Sequence, residues 1–350
     1  MKKLFLIDGM ALIYRSYYAF INNPLTTSSG FPTSAIYGFL NSILKILNEE
    51  KPDYISIALD AQKPTFRHEM FSDYKANRKK MPDDLRLQIP EIKQILSKIN
   101  ANILINEGYE ADDIIATVVK QIDNEDLSTY IVTGDKDIMQ LVNNNVFVYN
   151  PGNKFSGPIV YDREKVIQKW NVQPNEICDL LSIMGDSSDN IPGVKGVGPK
   201  TASKLIHQFG GIEGLLSKVE DIANARIRGL IQNQIEDIKM SNQLVKLKND
   251  VDIKFSLTET KVENLTFNEA KDEFKKYEMS SLLDTLDIDL NTSDSFDTIP
   301  KDYKVILTKQ QLSELIQKLS SGLVISFDLE TTNINPLKAD IVGISFSLVE

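Results

Sequence analysis

One cysteine, Cys178, occurs in the 350 residues. An internal disulfide framework is therefore excluded. His68 and His207 are the only histidines that could join it as soft ligands, which argues against a zinc site. Any metal held here should be a hard cation bound through oxygen. No apolar run approaches the ~18 residues that span a bilayer. The first apolar run, Leu4-Phe5-Leu6-Ile7, stops at Asp8, too soon for the core of a secretory signal. A cytoplasmic protein with no membrane partner is expected, and the length suggests about two domains. Basic charge is scarce as well. The chain has 39 Lys and Arg against 49 Asp and Glu, a net charge of −10, which taken whole speaks against a nucleic-acid partner.

Local patterns reverse that reading. Residues 1–209 carry 23 basic and 25 acidic side chains, so most of the negative excess lies beyond them. Lys63, Arg67, Lys75, Arg78, Lys79 and Lys80 crowd one stretch that holds only Glu69 and Asp73 as acids. From Ile191 to Gln208 there is no acid, while Lys195, Lys200, Lys204 and His207 are present. A basic run is most often a solvated face, but two of them make a polyanion a candidate partner.

Short apolar strands are read at 4–7, 54–59, 103–105, 130–133 and 146–149, and helices at 34–48, 89–99 and 111–122. This alternation predicts an α/β domain with a mostly parallel sheet over residues 1–165. Residues 166–286 read as mainly helical. The acidic, Ser/Thr-rich run DIDLNTSDSFDTIP at 287–300 reads as a linker. Beyond it, strands at 303–307 and 323–327 flank a helix at 309–319.

Asp8, Asp60 and Asp135 fall at or just past the C-terminal ends of three strands, where open α/β sheets bind ligands. Asp137 follows two residues on. Glu110 and Asp113, three apart at a helix start, share a face, with Asp112 beside them. Asp186 and Asp189 repeat that spacing before a glycine-rich turn. Singly, each acid has an ordinary use as a cap or turn residue. Gathered, nine carboxylates repel, and each raises its neighbours' pKa unless cations intervene. Without these nine, residues 1–209 hold 23 basic groups against 16 acids. That balance suits divalent cations in an acidic pocket and a polyanion around it.

Residues 185–202, GDSSDNIPGVKGVGPKTA, are dense in turn-formers. Gly193 to Gly198 reads as a tight hairpin between helices, with Pro199 opening the second. Glycine lets the backbone approach a phosphate, and a helix start favours an anion. With Lys200 and Lys204 on one helix face, the unit could grip a DNA backbone without reading bases. An ordinary helix–turn–helix packing element is the alternative. The phosphate-loop pattern GxxxxGK[ST] fits nowhere.

Five stretches now stand together: LIDGMALIYRSYYAF (6–20), ALDAQKPTFRHEMFSDYKANRKKMPDDL (58–85), GYEADDIIAT (108–117), TGDKDIMQL (133–141) and GDSSDNIPGVKGVGPKTA. In kind and order they resemble the 5′-nuclease domains of the flap endonuclease superfamily, as found at the N-terminus of bacterial DNA polymerase I. The resemblance implies a PIN-like α/β 5′-nuclease fold followed by a helical helix–hairpin–helix (H3TH) subdomain. It implies two divalent ions, Mg²⁺ with Mn²⁺ as a substitute, on Asp8, Asp60, Glu110, Asp112, Asp113, Asp135, Asp137, Asp186 and Asp189. It places a basic arch at 63–93, catalytic roles on Lys75 and Arg78 beside Asp8 and Asp113, and DNA contacts on Arg15, Tyr74, Lys75 and Arg78. Tyr74 would stack on an unpaired base. Gly193, Lys195, Gly196, Gly198, Lys200, Thr201 and Lys204 would contact duplex DNA, with a K⁺ ion able to sit at the hairpin. The implied activity is structure-specific 5′-3′ exonuclease and flap endonuclease cleavage of nicked, gapped and 5′-flap DNA, primer ends included, by a monomer active in repair and Okazaki fragment processing.

Residues 301–350 resemble the start of an RNase H-like 3′-5′ proofreading exonuclease, through the Asp328–Glu330 pair in ISFDLETT. The remaining acids of such a domain lie outside the 350 residues, so neither proofreading nor polymerisation is expected of them. Competing readings are a nuclease-inactive DNA-binding module, a PIN-type ribonuclease, which normally lacks the helix–hairpin–helix, and a small-ligand α/β enzyme. The last lacks both GxGxxG after the first strand and a nucleophile elbow.

Overall fold

The unbroken apolar run Leu4-Phe5-Leu6-Ile7 is what a strand covered on both faces requires. In the computed structural model it forms the middle of β1 (Lys2–Asp8), and all four side chains are buried. The structure describes residues 1–61, 63–122, 126–152, 156–286, 304–320, 325–333 and 338–348. The expected linker at 287–300 lies outside them.

β1 is central in a six-stranded sheet with β2 (Tyr54–Ala58), β3 (Ile103–Leu104), β4 (Leu127–Val132), β5 (Val146–Asn150) and β6 (Ile159–Tyr161). The order is β3-β2-β1-β4-β5-β6; the first five are parallel and β6 is antiparallel to β5. Chain order reverses between β1 and β4, so the crevice at their C-terminal ends is the natural ligand site of the sheet.

β1 runs directly into α1 (Gly9–Ala19), because the Asp8 side chain accepts a hydrogen bond from the Ala11 amide at 3.0 Å and so caps the helix. Gly9 is needed there: a Cβ would lie 2.4 Å from Leu59 Cδ2 and 2.9 Å from the Ala58 carbonyl. α2 (Ser34–Glu50) packs along α1. α3 (Phe66–Met70) and α4 (Asp83–Lys98) precede β3, and α5 (Ala111–Gln121) follows it. α4 begins six residues before the expected start. Its first turns, DDLRLQ, are polar, but Gln88 is buried and its side-chain oxygen accepts from the Ala35 and Ile36 amides at 2.7 and 3.2 Å, holding the start of α2.

The helical part holds α6 (Arg163–Trp170), α7 (Ile177–Met184), α8 (Pro199–Phe209), α9 (Ile212–Ser217), α10 (Ala225–Asn233) and α11 (Ile235–Val245), then α12 (Lys271–Lys276) and α13 (Ser280–Thr285). One apolar core runs from Leu4 and Leu6 through Ile114 and Ile138 to Leu180, Ile206 and Leu244. By internal contacts the chain divides into Met1–Asp289 and Leu290–Glu350.

The second unit contains α14 (Lys309–Leu319) and the antiparallel pair β7 (Ile325–Thr331) and β8 (Ile341–Leu348). Residues 304–307 are not a strand, contrary to expectation; they lead into the Thr308 cap of α14. Asp328 and Glu330, expected past a strand end, sit exposed within β7, which continues to Thr331. Residues 323 and 324 of the strand expected there lie outside the described residues.

Candidate metal centre

The sheet carries four of the nine acids to the crevice. Asp8 ends β1, Asp60 lies two residues past β2, and Asp135 and Asp137 follow β4. Glu110 caps α5, so Glu110 and Asp112 sit at the start of that helix. Asp186 and Asp189 arrive on a loop after α7 that is closed by paired bonds between Asp186 and Ile191, 2.8 and 2.9 Å.

Electrostatics joins them into one cluster. Burial, with Asp60 and Asp135 as neighbours, pushes the Asp8 carboxyl up to about 7. Burial also raises Asp112 well above its ordinary value, with Asp8, Asp135 and Glu110 adding repulsion. Asp135, half-buried, is raised by desolvation and by Asp189 and Asp186; Asp60 is raised by desolvation among its neighbours and by Glu110, although the residue itself is exposed. Asp137 is raised strongly by burial and by Asp135, Asp186 and Asp189.

Four acids are answered by cations of the chain itself. Lys136 Nζ lies 2.6 Å from Asp186, Lys75 Nζ 2.7 Å from Glu110, Arg78 2.5 Å from Asp189, and Arg67 2.6 Å from Asp113. Burial pushes Asp189 up, but Lys75 and Arg78 outweigh it and hold that carboxyl below its ordinary value. Among the described residues, Asp8, Asp60, Asp112, Asp135 and Asp137 have no such partner, and these are the five that are raised. Asp137 Oδ1 is buried without any hydrogen bond, and carboxylate oxygens of Asp137, Asp186 and Asp189 lie within 4.8 Å of one another. An unpaired buried carboxylate oxygen inside an all-oxygen set fits a hard divalent cation.

A cleft of about 550 Å³ opens over the cluster, lined by Arg15, Arg78, Asp135, Lys136, Asp186 and Asp189. Arg15 is exposed on α1. The 63–93 stretch, expected as a basic arch, is ordered here into three parts. It forms α3, a turn-rich strap at 71–82 and the start of α4. The strap is pinned to the acid-bearing loop: the Lys75 amide donates to the Asp189 carbonyl at 2.9 Å, Asn77 to the Ser187 carbonyl at 2.6 Å, and Asn190 to the Asp73 carbonyl at 2.7 Å. Lys75 pays for this with a left-handed φ of +58°.

Tyr74 departs from its expected role as a stacking platform. Only 4% of it is exposed, and its hydroxyl lies 3.0 Å from Glu110 and 3.1 Å from Asp189. No ring face is open to a base. Asp113 is fully buried, and its carboxylate is taken up by Arg67. Three residues of this centre were given no part in it by the sequence. Thr133 donates to Asp8 at 2.8 Å and accepts from the Asp135 amide; Lys136 pairs with Asp186; Arg67 pairs with Asp113. Thr133 and Lys136 lie inside the TGDKD motif, whose acids drew the attention.

The hairpin forms as expected. Gly193 has φ +53°, and a Cβ there would come 2.1 Å from the Gly185 nitrogen. Gly196 has φ +93°. Gly198 caps α8 and accepts from the Thr201 and Ala202 amides at 3.0 Å. Lys195, Lys200 and Lys204 are exposed, and Thr201 is half-buried.

Residues 3–171 match the family described as 5′-3′ exonuclease, N-terminal resolvase-like domain, and residues 172–268 match 5′-3′ exonuclease, C-terminal SAM fold. A 5′-3′ exonuclease of Aquifex aeolicus (strain VF5) is 40% identical over 287 residues, covering 82% of this chain and 96% of that protein. The chain belongs to the 5′-3′ exonuclease family. It is accordingly a nuclease with the expected PIN-like α/β fold and helical C-terminal region. DNA polymerase I of Borreliella burgdorferi (strain ATCC 35210 / DSM 4680 / CIP 102532 / B31) is 34% identical over 378 aligned residues, 100% of this chain but 40% of that protein. Against that of Treponema pallidum (strain Nichols) the identity is 41% over 261 residues, 74% of this chain and 26% of that protein. The chain thus spans well under half the length of these polymerases. The fold recurs in the T5 D15 protein crystallized with metal ions, with a TM-score of 0.57 at 22% identity over 70% of this chain and 89% of that one. It recurs also in the catalytic core of Rad2 in complex with DNA substrate, with a TM-score of 0.56 at 17% identity over 81% and 92%. Among the described residues no helix is long and apolar enough to cross a membrane.

Proposed function

We propose that this 5′-3′ exonuclease hydrolyses DNA phosphodiester bonds at nicks, gaps and 5′ flaps, primer ends included, as the N-terminal part of a DNA polymerase I in repair and Okazaki fragment processing. One observation carries the reading: five acids without a cationic partner repel one another in a cluster, and one of them, Asp135, lines a cleft together with Arg15, Arg78 and Lys136. Two Mg²⁺ ions would bring four positive charges to these five carboxyls, which would be ionised once the ions were bound. Asp8, Asp60, Glu110 and Asp112 would hold one, and Asp135, Asp137, Asp186 and Asp189 the other, with Mn²⁺ able to replace Mg²⁺. Bound there, such ions supply an ionised water at neutral pH and stabilise the leaving oxygen.

The side chains do the rest. Arg15, Arg78 and Lys136 draw the scissile phosphate into the cleft. Lys75, already between Glu110 and Asp189, offsets charge on the phosphate as it forms the transition state. Thr133 fixes the Asp8 carboxylate, so that its free lone pairs face the crevice. The hairpin backbone at Gly193, Lys195, Gly196 and Gly198, with Lys200, Thr201 and Lys204, grips the duplex through phosphates; carbonyls there suit a K⁺ ion. On this reading residues 1–165 are the catalytic part, 166–286 the DNA-gripping part, and 301–350 the start of a proofreading-type domain. The protein works as a monomer.

A 5′-labelled flap substrate tests it. Cleavage with Mg²⁺, abolished by EDTA, is expected. Binding without cleavage would instead mark an inactive DNA-binding module, and preference for single-stranded RNA a ribonuclease.

A further inference from the structure

We infer that Asp113 is not a metal ligand, and that Arg67 and Asp113 form a positioning pair which holds the acid-bearing start of α5 against the end of α11. The inference rests on the metal reading above and narrows it. A carboxylate offers about four lone-pair positions, and here all are taken. Asp113 Oδ1 accepts from Arg67 Nη2 at 2.8 Å and from the Lys248 amide at 2.8 Å. Oδ2 accepts from Arg67 Nη1 at 2.6 Å and from the Glu110 amide at 3.2 Å. The contrast is Asp137, whose buried Oδ1 has no partner at all.

Arg67 is equally committed. It is 1% exposed, and its other donors reach the Leu244 carbonyl at 2.7 Å, the Lys246 carbonyl at 3.3 Å and Glu110 Oε2 at 3.5 Å. One guanidinium therefore ties three pieces together: α3, from which the strap with Lys75 and Arg78 departs; the start of α5, with Glu110 and Asp112; and the last turn of α11. A planar fork that bonds bidentately is suited to fixing such a junction, and a lysine could not make the same five contacts. The pair thus sets where Glu110 and Asp112 stand relative to the strap without touching an ion.

The test counts bound ions by calorimetric titration with Mn²⁺ alone, on the full chain. It uses the parent, Asp113→Asn, Asp112→Asn and the neutral double variant Arg67→Gln/Asp113→Asn, which avoids a buried unpaired charge. The number of ions bound by the parent should persist in Asp113→Asn and in the double variant, and fall in Asp112→Asn. The kcat for flap cleavage should drop about 10–100-fold in both Asp113 variants, the usual effect of losing a group that orients ligands, with KM for DNA little changed. Loss of one ion from the folded double variant would overturn this inference while leaving the metal reading intact. A parent that binds no Mn²⁺ would overturn both.

Discussion

Metal-free protein should lose stability as pH rises from about 4 to about 7, the reverse of ordinary acid denaturation. Asp8 sets the magnitude. Its carboxyl has an ordinary value of 3.8 and stands at about 7 in the fold. Below 3.8 the group is protonated in both folded and unfolded chains and favours neither. Between the two values the unfolded chain ionises while the fold keeps its proton, so stability falls with each pH unit. Above 7 the loss is complete. At ~1.36 kcal/mol per unit over roughly three units, the loss is about 4 kcal/mol from Asp8 alone. Asp60, Asp112, Asp135 and Asp137 are raised too and act in the same direction. Asp189 is lowered, so its contribution is present above 3.8 and disappears only at lower pH, outside this window. Urea unfolding midpoints across the pH range, in EDTA and in excess Mg²⁺, read the effect. In EDTA the midpoint should fall from pH 4 to 7. At 100 times its dissociation constant, Mg²⁺ should restore about 2.7 kcal/mol per site. Because the loaded acids are ionised, titration near pH 6.5 in buffers of different ionisation enthalpy should show proton release. A flat metal-free profile, together with no released proton, would refute the buried-acid argument.

Asp137→Asn should raise metal-free stability at pH 7, since it removes a carboxyl whose ionisation the fold opposes through burial and through Asp135, Asp186 and Asp189, and it should shrink the Mg²⁺-induced rise in Tm. Neutralising Lys200 and Lys204 together should weaken duplex binding and flatten the slope of log affinity against log salt by up to ~1.8; fluorescence anisotropy at several salt concentrations measures it. Gly193→Ala should cost more than ~1 kcal/mol and weaken duplex binding, because the left-handed φ of +53° is compounded by a Cβ 2.1 Å from the Gly185 nitrogen; urea unfolding and the same anisotropy assay check both.

The sheet and the acids were legible because both follow local rules. Parallel strands are continuous apolar runs; 54–59 and 146–149 fall within one residue of the observed β2 and β5, and 4–7 lies inside β1, which starts two residues earlier. Other elements left weaker signals. α1 opens on glycine and carries three tyrosines, so only the Asp8 cap announces it. β6 is three residues long, and the polar first turns of α4 conceal a buried Gln88. The site was misread where composition stood in for contact. Arg67 counted toward a basic face, yet it is buried through pairing with an acid 46 positions away. The resemblance made Tyr74 a stacking platform, but two carboxylates from distant segments claim its hydroxyl. No local pattern encodes such partners.

The division among the nine acids explains why so much negative charge can fold at all. Each buried carboxylate must be matched by a cation, lose its charge by taking up a proton, or wait for a metal. The chain uses the first answer for Glu110, Asp113, Asp186 and Asp189, through Lys75, Arg67, Lys136 and Arg78. Asp8, Asp60, Asp112, Asp135 and Asp137 have no such cation and are driven toward the second answer in the absence of metal, as the direction of their shifts shows. The two answers have opposite consequences for function. A carboxylate matched by an internal cation is held in place before anything binds, so it can orient neighbours. A proton leaves readily, so an acid held by one is free to exchange it for Mg²⁺. Arg78 stands between these cases: it is half-exposed, sits on the strap and pairs with Asp189 at the rim of the cleft. An arriving phosphate can recruit it without opening the buried core. The Arg67 pair, fully enclosed, cannot be recruited in that way, and the geometry of the centre is anchored there.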